Sequence, residues 1–386
     1  MTPGERELRR SRAYLSRVAE PPAPALAELI IEVGPVRAAQ LVATGQVSDR
    51  VVAETSARRA DQRAEADLSA IAALGGRLVV PEDDEWPTEA LTCFATPTAQ
   101  ADERWRAPIG LWVRGTARLD DLDDRAVAVV GARAATSYGE HVAADFGYGL
   151  SEAGAVVVSG AAFGIDGAAH RGALAAQGRT VAVQACGLDR AYPAGHQRLL
   201  NQVAERGAVV SEYPPGVRPA RYRFLVRNRL IAAFTVGTVV VEAGARSGAR
   251  RTATAAAALG RIVMAVPGPI TSALSVGCHL LVRDEQAVLV TRVAEVLEAV
   301  GPIGTDLAPT LSTPARPTDG LSSELLAVYE ALPTRAPRHP EQLTRDSGVP
   351  LNRVRSALPL LELQGLVACG VTGWYRLTPV RGRGGP

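Results

Sequence analysis

The residues with the clearest chemical potential lie where a run of apolar β-formers meets a helical segment. Residues 156–170 read VVVSGAAFGIDGAAH, so the apolar run ends at Ser159 and Gly160 and a helical pattern begins near Gly164. The first N–H groups of a helix have no partner within the helix, and the helix dipole favours negative charge at that end. The pattern therefore predicts a phosphate-binding turn.

Two further segments place polar residues directly after apolar runs. Residues 129–139 (VVGARAATSYG) carry Arg133, and residues 239–252 (VVVEAGARSGARRT) carry Glu242 and then a turn made of Arg246, Ser247 and Gly248. If the runs are strands of a parallel sheet, their carboxyl ends meet at one edge, where such sheets bind ligands. One turn of this kind is as often a plain connection, but three at one edge indicate a binding site.

A fourth segment, residues 224–231 (FLVRNRLI), joins an aromatic ring to arginines. Phe224 precedes Arg227 and Arg229, which flank Asn228. Arginine can neutralise a phosphate while a nearby ring stacks on a base, a combination that suits single-stranded nucleic acid. The same pattern fits the start of a helix with solvated arginines and a core phenylalanine, so both interpretations stay open.

Asp166 and His170 are four residues apart and could share one helix face. No third residue has metal-ligand spacing, and no HExxH pattern occurs. We therefore expect structural roles, in which Asp166 caps the start of the helix and His170 packs or bonds locally. A structural role in its turn is likewise expected for Glu242. No Ser–His–Asp or nucleophilic cysteine arrangement is apparent, and neither catalysis, a metal nor a cofactor is expected.

The chain contains no lysine, so all 42 basic residues are arginines. This excludes a Walker A loop and a Schiff-base lysine, and it leaves arginine, with its forked donors, to bind phosphate. Neither glycine turn has the GxGxxG spacing, and no acidic residue stands clearly at the end of the next strand to bind a ribose. A dinucleotide ligand is therefore disfavoured.

Charge is distributed unevenly along a chain whose net charge is only +2. Residues 218–251 hold eight arginines against one acid, whereas residues 81–124 hold eleven acids against four arginines. A basic patch on a nearly neutral protein favours a polyanionic partner, although solvated arginine faces are common.

The chain shows no sign of a membrane or secretory segment. No apolar run approaches the ~20 residues that cross a bilayer, and the charged N-terminal residues lack a signal core. The four cysteines (Cys93, Cys186, Cys278 and Cys369) form no CxxC pair and are interpreted as reduced. A cytoplasmic protein is expected.

Short strands alternate with alanine-rich helical stretches through the middle of the chain. This alternation predicts an α/β fold, an extended Rossmann-like doubly wound sheet whose central strands are covered on both faces. The candidate strands are Arg77–Val80, Ile109–Val113, Ala126–Val130, Val156–Ser159, Thr180–Ala185, Ala208–Ser211, Thr238–Glu242, Ile262–Val266 and Ala287–Val290.

The pattern predicts three domains, a linker and a tail. They are an N-terminal helical domain (1–65), the Rossmann-like domain (66–300), a linker rich in Pro, Gly, Ser and Thr (301–320), a winged helix (321–380) and a disordered tail (381–386). In the first domain, residues 26–41 read as helix, Gly-Pro turn, helix, which fits either a helix-hairpin-helix module or a plain packing hairpin.

The C-terminal order of elements is that of a winged helix-turn-helix. Three helices at Ser322–Leu332, Glu341–Ser347 and Leu351–Gln364 precede strands at Gly365–Cys369 and Trp374–Leu377. Arg353 and Arg355 lie on the third helix, the one that would read DNA. Winged helices also bind proteins, and the choice between DNA and protein stays open.

Together these segments resemble the DprA/Smf family of DNA-processing proteins. The similarity rests on the number, order and spacing of motifs over roughly 170 residues. The matching segments are PIGLWVRG (108–115), VVGARAATSYG (129–139), SGAAFGIDGAAH (159–170), CGLDRAYPAGHQRL (186–199), VVSEYPPG (209–216), FLVRNRLIAA (224–233), VVVEAGARSG (239–248) and VPGPITSALSVGCHLL (266–281).

The resemblance implies a protein that binds single-stranded DNA without cleaving it. It also implies dimerisation through the Rossmann-like fold and loading of the recombinase RecA onto the bound strand, during natural transformation or recombination. It further implies that the DNA-binding residues are Arg133, Ser159, Gly160, Gly164, Phe224, Arg227, Asn228, Arg246, Ser247 and Gly248, to which the charge of the FLVRNR segment adds Arg229.

Three departures from the family pattern affect the expected site. The family usually continues after its RSG turn with small and apolar residues, but here residues 249–251 (ARR) precede Thr252 and add positive charge. His279 stands where the family commonly has Asn, and residues 283–290 (RDEQAVLV) replace a Gly-Ala ending. We therefore expect the floor of the site to differ in detail.

Two functions of other classes remain as alternatives. One is an enzyme that cleaves nucleoside monophosphates at the glycosidic bond, as phosphoribohydrolases of the wider Rossmann group do. That group carries a PGGxGT turn, whereas this chain has EAGARSG at the corresponding place (242–248). The other is a transcription regulator that uses the winged helix, with the Rossmann-like domain sensing a nucleotide.

Overall fold

The computed structural model describes residues 2–121, 125–302, 306–309 and 316–377. The chain forms two compact units, Met1–Ala308 and Pro309–Pro386. Parts of the expected linker, the end of the expected winged-helix domain (378–380) and the expected tail (381–386) lie outside the described residues.

The first unit begins with five helices. Thr2 and Glu5 form a reciprocal capping box at the start of the first helix, which stabilises its exposed N–H groups. Gly34, with a positive φ of 78°, separates the second and third helices, and Pro35 begins the third, so the predicted Gly-Pro turn between two helices is confirmed. The five helices are α1 (Pro3–Val18), α2 (Pro24–Val33), α3 (Pro35–Thr44), α4 (Asp49–Thr55) and α5 (Ala64–Ala73).

These helices share a core with the sheet. Leu15, Leu26 and Val42 are buried in the same cluster as Trp112 of the sheet. Arg17 of α1 donates through Nε to Asp67 of α5 at 2.8 Å, and both side chains are buried. The predicted boundary after residue 65 falls within α5, and the sheet begins with β1 at Gly76.

The sheet contains nine strands within the described residues, in the order β1-β2-β6-β5-β4-β3-β7-β8-β9. All nine predicted strands are present, with ends shifted by at most two residues. The strands are β1 (Gly76–Val79), β2 (Leu111–Gly115), β3 (Ala126–Val130), β4 (Val156–Ser159), β5 (Thr180–Val183), β6 (Ala208–Ser211), β7 (Gly237–Val240), β8 (Ile262–Ala265) and β9 (Val288–Leu289).

Strands β3 to β9 pair in parallel with one another, as the doubly wound fold predicts. Strand β2 departs from this pattern, since it runs antiparallel to both β1 and β6. In the central strands, successive residues point to opposite faces. Ala128 packs into one core and Val127 into the other, which explains the unbroken apolar runs.

Helices connect and cover the strands. After β3 the chain adds β4, β5 and β6 in turn along one edge of β3. The connection after β6 then crosses back, so that β7 pairs with the other edge of β3. The helices are α6 (Thr88–Leu91), α7 (Pro97–Gln100), α8 (Ser137–Glu152), α9 (Ile165–Ala175), α10 (Gln197–Arg206), α11 (Arg221–Ala233), α12 (Gly248–Ala258), α13 (Val276–Arg283) and α14 (Val293–Val300).

The second unit has the predicted winged-helix elements. They are α15 (Ser323–Ala331), α16 (Pro340–Ser347), α17 (Leu351–Leu363), β10 (Val367–Gly370) and β11 (Gly373–Arg376). The two strands pair antiparallel, and a separate core that includes Val328, Leu343 and Leu361 holds the helices together.

Candidate nucleic-acid interface

A cleft of about 330 Å³ opens where the order of the parallel strands reverses, beside the carboxyl ends of β3 and β7. This position is the one at which doubly wound sheets bind ligands. Five segments line it: residues 130–133 at the end of β3, Ala162 with Asp166 after β4, Tyr192, residues 221–231 of α11, and residues 247–252 around the start of α12. Three predicted turns and the FLVRNR segment therefore meet at one edge.

Arg133 and two aromatic rings form the mouth of the cleft. The guanidinium carbon of exposed Arg133 lies 4.9 Å from the centroid of the Phe224 ring, which is within the range of a cation–π contact. The Phe224 ring lies 5.0 Å from that of Tyr192, tilted by 42°. Among the described residues, Arg133 forms no ion pair. The mouth thus offers an uncompensated cation beside flat apolar surfaces.

The predicted phosphate-binding turn is already occupied by a side chain of the protein. Oδ2 of Asp166 accepts hydrogen bonds from the backbone N–H groups of Gly160 (3.1 Å) and Ala162 (3.5 Å). The N–H of Ile165, the first residue of α9, donates to the Ala132 carbonyl. Asp166 also lies inside α9, whose N-cap is Gly164, so the expectation that Asp166 caps this helix is wrong. An internal carboxylate takes the place expected for phosphate.

Arg227 lies in the floor of the cleft, with its side chain largely buried. Its Nη1 donates to the carbonyls of Gly160 (2.9 Å) and Val183, and the side chain is buried. Burial lowers the pKa of Arg227 to about 10, and Asp166 opposes this change. Burial likewise raises the pKa of Asp166, and Arg227 opposes that change. Each of the two buried groups thus stabilises the charged form of the other.

Asn228 and the RSG turn (residues 246–248) form another part of the cleft wall. Nδ2 of Asn228 donates to the Gly248 carbonyl at 3.4 Å. Ser247 is the N-cap of α12, where its hydroxyl accepts from the N–H of Arg250. Ser247 and Gly248 line the cleft, whereas the exposed Arg246 does not.

Three of the predicted DNA-contact residues are buried and do not line the cleft. Ser159 is fully buried, and its hydroxyl donates to the Val129 carbonyl at 2.7 Å. Gly160 lies against the Arg227 guanidinium, and Gly164 adopts a left-handed φ of 73° against the Ala132 carbonyl. These residues shape the turn below the cleft.

Arg229 is also directed away from the cleft. It makes a two-pronged ion pair with Glu212, at 2.6 and 2.7 Å, and is only 1% exposed. Residues two apart on a helix point about 200° apart, so Arg227 and Arg229 cannot face the same side of α11. The expected DNA contact by Arg229 is therefore wrong.

Glu242 and His170 have local partners. The Glu242 carboxylate accepts from the N–H (2.9 Å) and hydroxyl (2.6 Å) of Thr136, which ties the turn after β7 to the start of α8. Nδ1 of His170 lies 2.7 Å from the Thr180 hydroxyl. Because that hydroxyl donates to the Val157 carbonyl, His170 must be the donor. Burial lowers the pKa of His170 to about 3, so the ring stays neutral.

Tyr192 and Arg221 line the cleft but were not among the predicted site residues. Tyr192 stands in the segment AYPAG, where an aromatic residue directly before proline gives a signal that could have been read as a stacking position. Arg221 begins α11 and is exposed, so its basic charge near Phe224 was the available signal.

The departures from the family pattern lie outside the cleft lining, except for Ala249 and Thr252. Nε2 of His279 bonds the Gly268 carbonyl at 3.0 Å, and Arg283 pairs with Asp284 on the surface. The expectation that residues 283–290 alter the floor is therefore wrong, because β9 and its flanking turn lie at the far end of the sheet.

In the winged-helix unit, the arginines of α17 face acids. Arg355 pairs with Glu341 at 2.7 Å and Arg353 lies 3.7 Å from Glu324, all four being exposed to solvent. Exposed leucines, Leu360 and Leu363, occupy the second half of the helix.

Within the described ranges, no group of three or more His, Cys, Asp and Glu side chains could hold a metal ion. The same residues include no helix of the length and apolar character that a membrane span requires.

Two family models match the chain. One, described as DNA recombination-mediator protein A, matches residues 77–301, and the other, described as the DprA winged helix domain, matches residues 312–370. The first covers the sheet and the whole of the cleft.

Named relatives and a solved structure agree with these matches. A putative DNA processing protein DprA from Mycobacterium tuberculosis is 52% identical over 365 residues, covering 95% of this chain and 93% of the relative. Protein Smf from Escherichia coli is 37% identical over 78% of this chain and 77% of its own length. The X-ray structure of DNA processing protein A from Streptococcus pneumoniae aligns with a TM-score of 0.61 and 32% identity, over 75% of this chain and 96% of that one.

Proposed function

The chain belongs to the DprA/Smf family of DNA-processing proteins, and from this premise we propose that its cleft binds single-stranded DNA. The observation that carries the proposal is the cluster of Arg133, Phe224 and Tyr192 at the cleft mouth. A ring next to a cation can stack on a base while the cation binds the adjacent phosphate. Bases of a duplex are already stacked on each other, so this arrangement favours a single strand.

The charge of the cleft supports the same conclusion. Its lining includes Arg133, Arg221 and Arg227 against one carboxylate, that of Asp166. Since Asp166 is buried and bonded to backbone N–H groups, it presents little negative charge to a ligand. The excess of positive charge suits a polyanion.

We assign the direct contacts to Arg133, Phe224, Asn228, Ser247 and Gly248, with Tyr192 and Arg221 added from the lining. Arg227 acts from the floor, by its charge and by holding the turn after β4.

Family membership is the basis for the wider role that we propose. In this role the protein protects incoming DNA and loads RecA onto it during natural transformation or recombination. It acts as a non-enzymatic homodimer in the cytoplasm.

The test compares a labelled oligothymidylate with a duplex of equal length over a salt series. We expect tighter binding of the single strand, affinity that falls steeply with salt, and a loss of roughly 10- to 100-fold in Arg133→Ala, the range for a charged hydrogen bond. Arg179→Ala is the matched control, because Arg179 is an exposed arginine just before β5, at the opposite edge of the sheet. Equal affinity for the duplex, or an unchanged Arg133→Ala, would contradict the assignment.

The enzymatic alternative has its own readout. A phosphoribohydrolase needs an accessible carboxylate, whereas the one carboxylate among the described lining residues is committed to backbone N–H groups. Incubation with AMP should leave the nucleotide intact. Release of free base that Arg133→Ala abolishes would favour the enzyme over the DNA-binding protein.

A further inference from the structure

A third aromatic ring, that of Phe163, lies beside the cleft and belongs to none of the contacts assigned above. Phe163 directly follows Ala162, which lines the cleft, and its side chain is 49% exposed. Its ring meets the buried ring of His196 edge-on, with centroids 4.7 Å apart. A β-carbon at Gly195 would lie 3.2 Å from the ring, so the ring rests against a residue without a side chain. The ring is thus supported on one side while half of it remains open to solvent.

One short loop connects this ring to the cleft. Tyr192 stacks near Phe224 in the cleft, and Gly195, three residues later, supports Phe163. Three Cα steps span at most about 11 Å. The two aromatic positions are therefore connected by one short loop, so a single strand that follows this loop would reach both.

An exposed arginine lies near the residues that support this ring. A β-carbon at Gly167 would lie 2.6 Å from Cε1 of His196 and 3.2 Å from Nη1 of Arg171. The Arg171 guanidinium therefore lies beside the histidine that supports Phe163. Arg171 is exposed and forms no ion pair within the part of the chain that the structure describes. Arg171 thus adds an exposed positive charge near the histidine that supports Phe163.

We infer that Phe163 is a second base-stacking position, at which another base of the strand bound at Phe224 stacks. The inference rests on the proposed binding of single-stranded DNA and extends it to the length and path of the bound strand. Stacking on a ring tolerates any base, because every base has a flat face. The second position therefore adds affinity with little sequence preference.

The experiment measures affinity for oligothymidylates of increasing length with wild type, Phe163→Ala and Phe163→Tyr. Wild-type affinity should rise at the length at which the strand reaches Phe163. Phe163→Ala should lack this rise and bind long strands about tenfold more weakly, near the low end for one stacked base. Phe163→Tyr should behave as wild type. Tyr148→Ala, an exposed aromatic of α8 roughly 16 Å along the helix from Ser137, should have no effect.

Photo-crosslinking with 5-iododeoxyuridine gives a direct readout, and the expected adduct lies on the peptide that contains Phe163. If Phe163→Ala matches wild type at every length while Phe224→Ala binds weakly, the second position is wrong and the proposed function stands. If wild type itself fails to bind any length, the proposed function fails.

Discussion

Arginines in two regions of this protein occupy opposite electrostatic environments. At the cleft, Arg133 lies over a ring without an acidic partner among the described residues, and Arg227 is buried on backbone carbonyls in the floor. On α17, the helix that would read DNA in a winged helix, Arg353 and Arg355 each face a glutamate in solvent. Both regions are basic in sequence, but only the cleft keeps positive charge available to a ligand.

The difference shows that the neighbours of an arginine, more than its presence, determine what it can bind. A surface ion pair is worth at most about 1 kcal/mol, yet the acid beside the arginine lowers the net positive charge that the pair offers to a phosphate. A buried cation, by contrast, cannot be removed without leaving its partners unsatisfied. The two regions should therefore respond to substitution in opposite ways.

The largest expected effect is that of Arg227→Met. The substitution removes the donor to the Gly160 and Val183 carbonyls and the counter-charge of Asp166. We expect the free energy of unfolding of the sheet-bearing unit to fall by about 3 kcal/mol, with loss of DNA binding. Denaturant titration measures the first and oligothymidylate binding the second. Arg353→Met is the control from the other region. A stability change below about 0.5 kcal/mol for Arg227→Met would show that the buried arginine is not structural.

Lowering the pH should reduce the stability of the unit that contains the cleft, through His170. Burial lowers the pKa of His170 from 6.5 to about 3. Between pH 6.5 and pH 3, His170 is therefore protonated in the unfolded chain but neutral in the folded chain. Stability from this group is complete above pH 6.5 and is lost progressively as the pH falls towards 3. The expected loss at pH 5 is about 2 kcal/mol.

His170→Gln removes this titration while retaining a donor for Thr180. Its stability should therefore vary less between pH 7 and pH 5 than that of wild type. His339→Asn, at the exposed N-cap of α16, supplies a matched control that keeps a capping residue. Parallel pH profiles for His170→Gln and wild type would rule out a neutral buried histidine.

The smallest effects are expected at α17. Arg353→Ala and Arg355→Ala each remove one exposed ion pair, so stability should change by less than about 0.5 kcal/mol. Affinity for single-stranded DNA should change by less than about twofold, since each arginine is already matched by an acid. The oligothymidylate assay checks this. A tenfold loss would make α17 a second DNA-binding element and would remove the contrast with the cleft.

The elements of the fold were predictable from local sequence. Continuous apolar runs such as AVAVV at Ala126–Val130 identify strands covered on both faces, and that strand was predicted with its correct ends. The direction of β2 was not predictable, because an apolar run carries no information about which neighbour it pairs with. The convergence of the three turns at one edge followed from the parallel sheet.

The roles of single residues in the site were less predictable. The helical period alone separates Arg227 from Arg229, but only the position of Glu212 shows which of the two turns inward to an ion pair. Tyr192 comes from a loop more than thirty residues before Phe224, and the sequence gives no measure of their proximity.

By itself, the sequence determined the strands, the winged helix, the reliance on arginine for phosphate and the edge at which ligands bind. These follow from local patterns, because hydrophobic periodicity and turn residues act over a few positions. The tertiary structure alone decided that Asp166 fills the expected phosphate-binding turn, that Arg227 lies buried in the floor of the cleft and that Arg133 remains exposed over Phe224. Whether a charge is available depends on partners distant in the chain, and packing brings those partners together.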